Sequence, residues 1–146
     1  MLAALPLPWL VRRWVPADAL DRDAALKAPV AAEFADLMGV RAALERGAEP
    51  VACLQFLSTI VRRFAMTSVA RTAVEPEVAG MIGERWLRYL DGRWDRTDFS
   101  AGVGKRLLAA PYARPNSIER GTALELTALC TAWLSAQPAT QRARRA

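Results

Sequence analysis

Apolar positions recur along most of the chain at helical spacing, and no run alternates apolar and polar over a useful length. One face of an α-helix returns every three or four residues, whereas a strand needs a period of two. The clearest stretch is residues 51–69, where Cys53, Leu57, Ile60, Val61 and Phe64 fall at i, i+4, i+7, i+8 and i+11. Leu54 and Phe56 widen that stripe, which predicts a helix at the centre of the core. It begins behind Gly47-Ala48-Glu49-Pro50. Glycine suits the position after one helix and proline the first turn of the next. Arg62 and Arg63 lie toward the end of this helix, where its dipole favours cations.

The same reading predicts a short helix over residues 18–27 with Asp18 as its cap, an interruption at Pro29, and a helix over residues 30–45. The apolar set of the latter is Phe34, Leu37, Met38 and Leu44. Glu75-Pro76-Glu77 is a start signal for a helix reaching about Asp91-Gly92, with Val78, Met81, Ile82, Trp86, Leu87 and Leu90 as its face. Gly80 and Gly83 within it would each cost about 1 kcal/mol relative to alanine, and the expected use is close approach by another backbone. A polar turn follows over residues 92–97, then a short helix over 99–110 loosened by Gly102 and Gly104. Pro111-Tyr112-Ala113-Arg114-Pro115 reads as a rigid loop that fixes Tyr112. Asn116, with Glu119 three residues on, has capping-box spacing for a last helix ending near Ala136, whose stripe is Leu126, Leu129, Cys130, Trp133 and Leu134.

These elements predict an all-α fold: one compact bundle of about five to six helices, irregular rather than a simple up-down four-helix bundle. The organisation expected is an apolar and basic N-terminal segment (1–16), a helical domain (17–136) and a basic, disordered tail (137–146). A chain of 146 residues with 53% hydrophobic content can bury one core without a disulfide or metal. Cys53 and Cys130 each lie in a helical apolar pattern and read as small buried hydrophobes, with a single bridge between them left open.

Charge adds a preference for acidic partners. The net charge is +5, and Lys27 and Lys105 are the only lysines among twenty cations. Nucleic acid, anionic lipid or an acidic protein surface would suit this balance, as would GC-rich coding that selects no partner at all. Residues 1–11 are apolar and precede Arg12-Arg13, with Trp9 and Trp14 alongside. Eleven residues are too few to span a bilayer, which takes about 20, and Pro6 and Pro8 spoil a continuous helix. The order resembles the cytoplasmic end of a membrane anchor, read here as an anchor remnant or as an apolar arm packed on the domain.

Histidine is absent, which removes the imidazole base, the Ser-His and Cys-His pairs and the histidine metal ligand. Ser100-Ala101-Gly102-Val103-Gly104-Lys105-Arg106 places lysine after glycine but lacks the Walker spacing and the Ser/Thr that follows it. Asp91, Asp95 and Asp98 could in principle hold a hard cation, but Arg93 and Arg96 between them favour charge pairing. The expectation is therefore a protein that is not an enzyme, with no catalytic residue, metal or cofactor. Arginine alternates with aromatics through Arg85-Trp86, Arg88-Tyr89 and Arg93-Trp94 to Phe99. That pattern carries the alternative reading, a nucleic-acid-binding helical domain.

Glu77-Val78-Ala79-Gly80, Gly83 and Trp86-Leu87-x-Tyr89-Leu90-Asp91 form one signature. Phe99, Gly104-x-Arg106-Leu107-Leu108, Ala110-Pro111-Tyr112 and Arg114-Pro115 form a second. With the Arg62-Arg63 helix upstream and Trp133 downstream, residues 43–134 resemble a bacterial domain-of-unknown-function family. Its members are encoded beside MoxR-type AAA+ ATPases and von Willebrand factor A proteins in Bat-like operons. The resemblance implies a non-catalytic accessory or adaptor of that chaperone-like pair. It places the domain at the cytoplasmic face of the inner membrane, or in the cytoplasm if the anchor is absent. The family's full N-terminal membrane helix has no counterpart in residues 1–16. Trp86, Tyr89, Asp91, Phe99, Arg106, Tyr112 and Arg114 are the motif residues expected to contact a partner or to shape the domain that does.

Overall fold

Helical periodicity is realised throughout: in the computed structural model, which describes residues 22–69 and 78–145, no described residue lies in a strand. Helix α1 (Arg22–Glu45) is a single element where two had been expected. Proline inside a helix forfeits a backbone hydrogen bond, at a cost of about 3 kcal/mol. Here α1 passes through Pro29, and its downstream part packs on α2 (Pro50–Phe64), α5 (Arg120–Ala136) and α6 (Pro138–Arg145). That burial holds the helix together across the proline. Segment 1–16, the Asp18 cap and the Glu75-Pro76-Glu77 start lie outside the described residues.

Pro50 opens α2 as the sequence predicts, and Glu49 caps it. The Glu49 carboxylate accepts from Val51 N at 3.1 Å and Ala52 N at 2.7 Å. Beyond Phe64 the chain continues as one wider π-turn, Ala65–Val69.

α3 (Gly83–Gly92) begins later than expected, after a 3₁₀ turn at Val78–Gly80. The reading of Gly80 and Gly83 as points of close approach is corrected: a Cβ at either would meet nothing within 4 Å. Gly83 is required instead by its backbone, since its φ of +61° strains any residue with a side chain. Close approach occurs at the other glycine pair. A Cβ on Gly104 would lie 2.5 Å from Phe99 Cα, and one on Gly102 2.8 Å from Asp98 O. The backbone folds back on itself there, so the helix expected over 99–110 becomes a turn, a 3₁₀ turn (Val103–Lys105), the short α4 (Arg106–Ala109) and a second 3₁₀ turn (Ala110–Tyr112).

Asn116 does not cap the last long helix. It has φ +63°, a conformation asparagine tolerates, and its N–H is donated to Glu49 Oε1 at 2.7 Å. One carboxylate thus caps α2 and pins the loop before α5. Over the segment expected to be a disordered tail, α6 follows α5 after Gln137 and packs on α1, with Thr140 buried and Arg144 over the Phe34 ring at 5.3 Å.

The six described α-helices form the irregular bundle that was expected, centred on Trp133. Its ring meets Phe64 edge-on at 5.6 Å and Phe99 at 6.4 Å. Its Nε1 donates to Leu90 O at 2.9 Å, tying α5 to α3. Cys53 and Cys130 are free thiols, and burial pushes the pKa of Cys130 up. No described helix is long and apolar enough to cross a membrane.

Candidate functional site

Most large apolar side chains of the bundle are covered, so the exceptions carry information. Among the described residues Ile82 is 79% exposed, Tyr112 90%, Met66 43% and Met38 50%. Three of these four, Met66, Ile82 and Tyr112, lie on one groove of about 850 Å³. Chain segments far apart in sequence bring them together. The α2 wall contributes Ser58, Thr59, Arg62 and Arg63, with Met66 beyond it. The start of α3 contributes Ile82, Gly83 and Trp86. Leu107, Leu108 and Tyr112 close the third side.

Local backbone geometry presents these groups. The π-turn carries Met66 past the end of α2; π-turns are frequent at functional sites. Ile82 is extended (φ −132°, ψ 162°) just ahead of the left-handed Gly83, and its side chain reaches solvent instead of the core. Ala113 is extended after the 3₁₀ turn, which ends on Tyr112.

Arg62 forms the floor. Its Nη1 donates to Val78 O at 3.1 Å and Met81 O at 2.8 Å, fastening the chain before α3 to α2. Its guanidinium lies over the Trp86 ring at 4.0 Å, a contact worth about 1–2 kcal/mol when partly desolvated. Trp86 in turn stacks on Tyr89 at 5.7 Å with the rings 12° from parallel. Burial lowers the Arg62 pKa from its ordinary value, because desolvation disfavours the charged form. Arg63, the next residue, is differently placed: its Nη1 lies 3.5 Å from Glu33 and 3.4 Å from Asp36 of α1.

The motif residues divide between the groove and the interior. Trp86 and Tyr112 line the groove, and Tyr89 supports Trp86 from beneath. Phe99 is fully buried against Trp133 and Trp94. Asp91 is buried and acts within the chain. Its carboxylate accepts from Phe99 N at 2.9 Å, Ser100 N at 3.1 Å and the Ser100 hydroxyl, which holds the turn after α3. Those bonds occupy the oxygens a cation would need, and Asp98 is paired with Arg96. Among the described residues no three His, Cys, Asp or Glu side chains gather as a metal site. Arg106 and Arg114 are exposed and lie off the groove. In the Gly-Lys stretch, Gly104 N donates to Asp98 O and Lys105 N to Gly102 O, so these amides serve the fold.

The arginine–aromatic alternation resolves into stacked pairs. Trp86 lies under Arg62, and Trp94 lies 4.4 Å under Arg96, so an arginine takes one face of each ring. Met66, Ile82, Leu108 and Arg62 were not among the site residues expected from sequence. Met66 was not singled out, Leu108 entered only within the second signature, Arg62 only as a cation toward the end of a helix, and Ile82 as part of a helix face.

The chain matches the model of the family described as Domain of unknown function (DUF4381) over residues 1–136. It belongs to the DUF4381 family. The match spans both signatures and every groove residue, and it ends where α5 ends, so α6 lies beyond it. No match was found among curated proteins or among solved structures.

Proposed function

We propose that this DUF4381 chain is a non-catalytic accessory protein that docks a partner protein in the groove between α2, α3 and the Ala110–Tyr112 turn. The observation that carries this reading is the gathering of Met66, Ile82 and Tyr112 on one concavity. Uncovered apolar side chains cost solubility, and a contiguous set of them around a hollow marks an interaction surface. A tyrosine at the rim is a residue type enriched where binding energy concentrates.

The partner follows from the resemblance of the two signatures: a MoxR-type AAA+ ATPase, a von Willebrand factor A protein, or both. The working location is the cytoplasmic face of the bacterial inner membrane, where such pairs act on clients. The apolar, Arg-Arg-bearing N-terminal sequence supports contact with that surface.

Affinity capture from the native host, under conditions that preserve membranes, tests this. The full chain should recover a MoxR-like ATPase or a von Willebrand A protein, and the Ile82→Ala/Tyr112→Ala double variant should not. Equal recovery by both chains moves the contact off the groove. Recovery of neither partner by the parent chain removes the assignment.

A further inference from the structure

Arg62 and Arg63 are adjacent and both line the groove, yet their charges are handled differently. Glu33 and Asp36 face Arg63. Arg62 is half-buried, and among the described residues no carboxylate pairs with it. Its Nη1 donates to two backbone carbonyls, which orient the fork without neutralising it. Among the described residues no carboxylate lines the groove. A partly desolvated guanidinium without a counter-charge is an unfavourable arrangement that an incoming carboxylate relieves, by a short, two-pronged hydrogen bond.

We infer that the groove takes an amphipathic helix of a partner protein, whose apolar side chains cover Met66, Ile82 and Tyr112 and whose aspartate or glutamate pairs with Arg62. The inference rests on the docking reading above and adds the chemistry of the occupant. A helix is favoured because all described elements are helical, so no sheet edge is on offer for an added strand. Apolar walls with a single unneutralised charge at the floor match a helix bearing apolar anchors at i, i+3 or i+4 and i+7 and one acid between them. The arginine then also sets register and direction, since a helix shifted by one turn would leave both charges unpaired and buried.

The test is a displayed library of helical peptides with leucine fixed at i, i+4 and i+7 and all other positions randomised, selected on the full chain. Enriched peptides should carry aspartate or glutamate at one fixed position. Changing that acid to its amide should weaken binding by at least about tenfold. The same change should matter little against Arg62→Met. If Arg62→Met does not fold, the amide substitution, read on the parent chain at two salt concentrations, still decides, because the lost attraction is the salt-sensitive part. Enriched peptides without an acid preference, no enrichment at all, or a chain that self-associates through Tyr112 overturn the inference, the last by making a second copy the occupant. The docking reading fails separately, if Ile82→Ala/Tyr112→Ala leaves partner capture intact.

Discussion

Replacing Asp91 by alanine should destabilise the fold heavily while leaving the groove's lining in place. Its carboxylate is the acceptor for Phe99 N, Ser100 N and the Ser100 hydroxyl. In the alanine variant these three donors lose their acceptor together. The Phe99 amide bond is buried, so water does not replace it readily, and the two Ser100 donors are half-buried. An unmade hydrogen bond to a buried group costs about 1–3 kcal/mol, and partial access to water puts the Ser100 donors at the low end. Removing a charge from a site only 7% exposed returns some desolvation energy. The balance is a loss of about 3 kcal/mol, a large part of the roughly 5–15 kcal/mol that holds a domain together. For a chain of this size that lowers Tm by about 10 °C, at about 2–4 °C per kcal/mol. Asp91→Asn should lose less, since one oxygen remains for Phe99 N while its NH₂ meets the Ser100 N–H donor to donor. Ser100→Ala, which removes only the hydroxyl, should lose about 1 kcal/mol. Urea unfolding followed by far-UV circular dichroism measures all three. Asp91→Ala within about 0.5 kcal/mol of the parent chain would refute the structural role. Lost partner capture at unchanged stability would place Asp91 among the contact residues instead.

Other outcomes follow from single residues. Burial pushes the Glu49 pKa up, but the amides of Asn116, Ala52 and Val51, donated to the charged form, outweigh it and leave the pKa below its ordinary value. Its stabilising effect is therefore present above the ordinary glutamate pKa, about 4.3, and is lost as pH falls through the folded value. Glu49→Gln should be less stable than the parent at neutral pH, and chemical denaturation at stepwise lower pH should show that gap closing. Gly104→Ala must push a Cβ into Phe99 and should cost about 2 kcal/mol or more, whereas Gly121→Ala in α5, with open space at its Cβ, should be neutral or mildly stabilising in the same thermal melt. Burial raises the thiol pKa of both cysteines, aided at Cys53 by the charge of Glu49. A thiol reagent should label Cys53 slowly and Cys130 only on unfolding, and rapid labelling of Cys130 in the folded protein would contradict its place in the core.

The parts of this molecule that sequence predicts well are those set by local periodicity. The α2 stripe of Leu57, Ile60, Val61 and Phe64 and the α5 stripe of Cys130, Trp133 and Leu134 are buried as their spacing requires. The proline start of α2 was equally plain, because proline at a first turn has one local meaning. The glycines were misread because composition does not reveal the sign of φ. Gly83 needs its left-handed backbone, while the close approach belongs to Gly102 and Gly104. Asn116 was misread because its amide is claimed by a residue 67 positions away, which no local pattern displays. The groove was the least legible part. Met66 and Ile82 are apolar residues in apolar patterns, and their exposure is decided by a π-turn and by the backbone at Gly83. Trp86 and Tyr112 were singled out from the motifs, but nothing in their spacing indicated that Arg62 would lie over Trp86 and share a groove with Tyr112.

The central claim is that partners are held in the groove bounded by Met66, Ile82 and Tyr112. A photoreactive amino acid placed at Tyr112 in the full chain, and in a second variant at the exposed Met38 on α1, which does not line the groove, tests it most directly in living cells of the native host. The docking reading predicts one discrete cross-linked partner from position 112 that is absent from position 38 and is lost when Ile82→Ala is added. The same cross-links from both positions, or a discrete partner from position 38 alone, would contradict it.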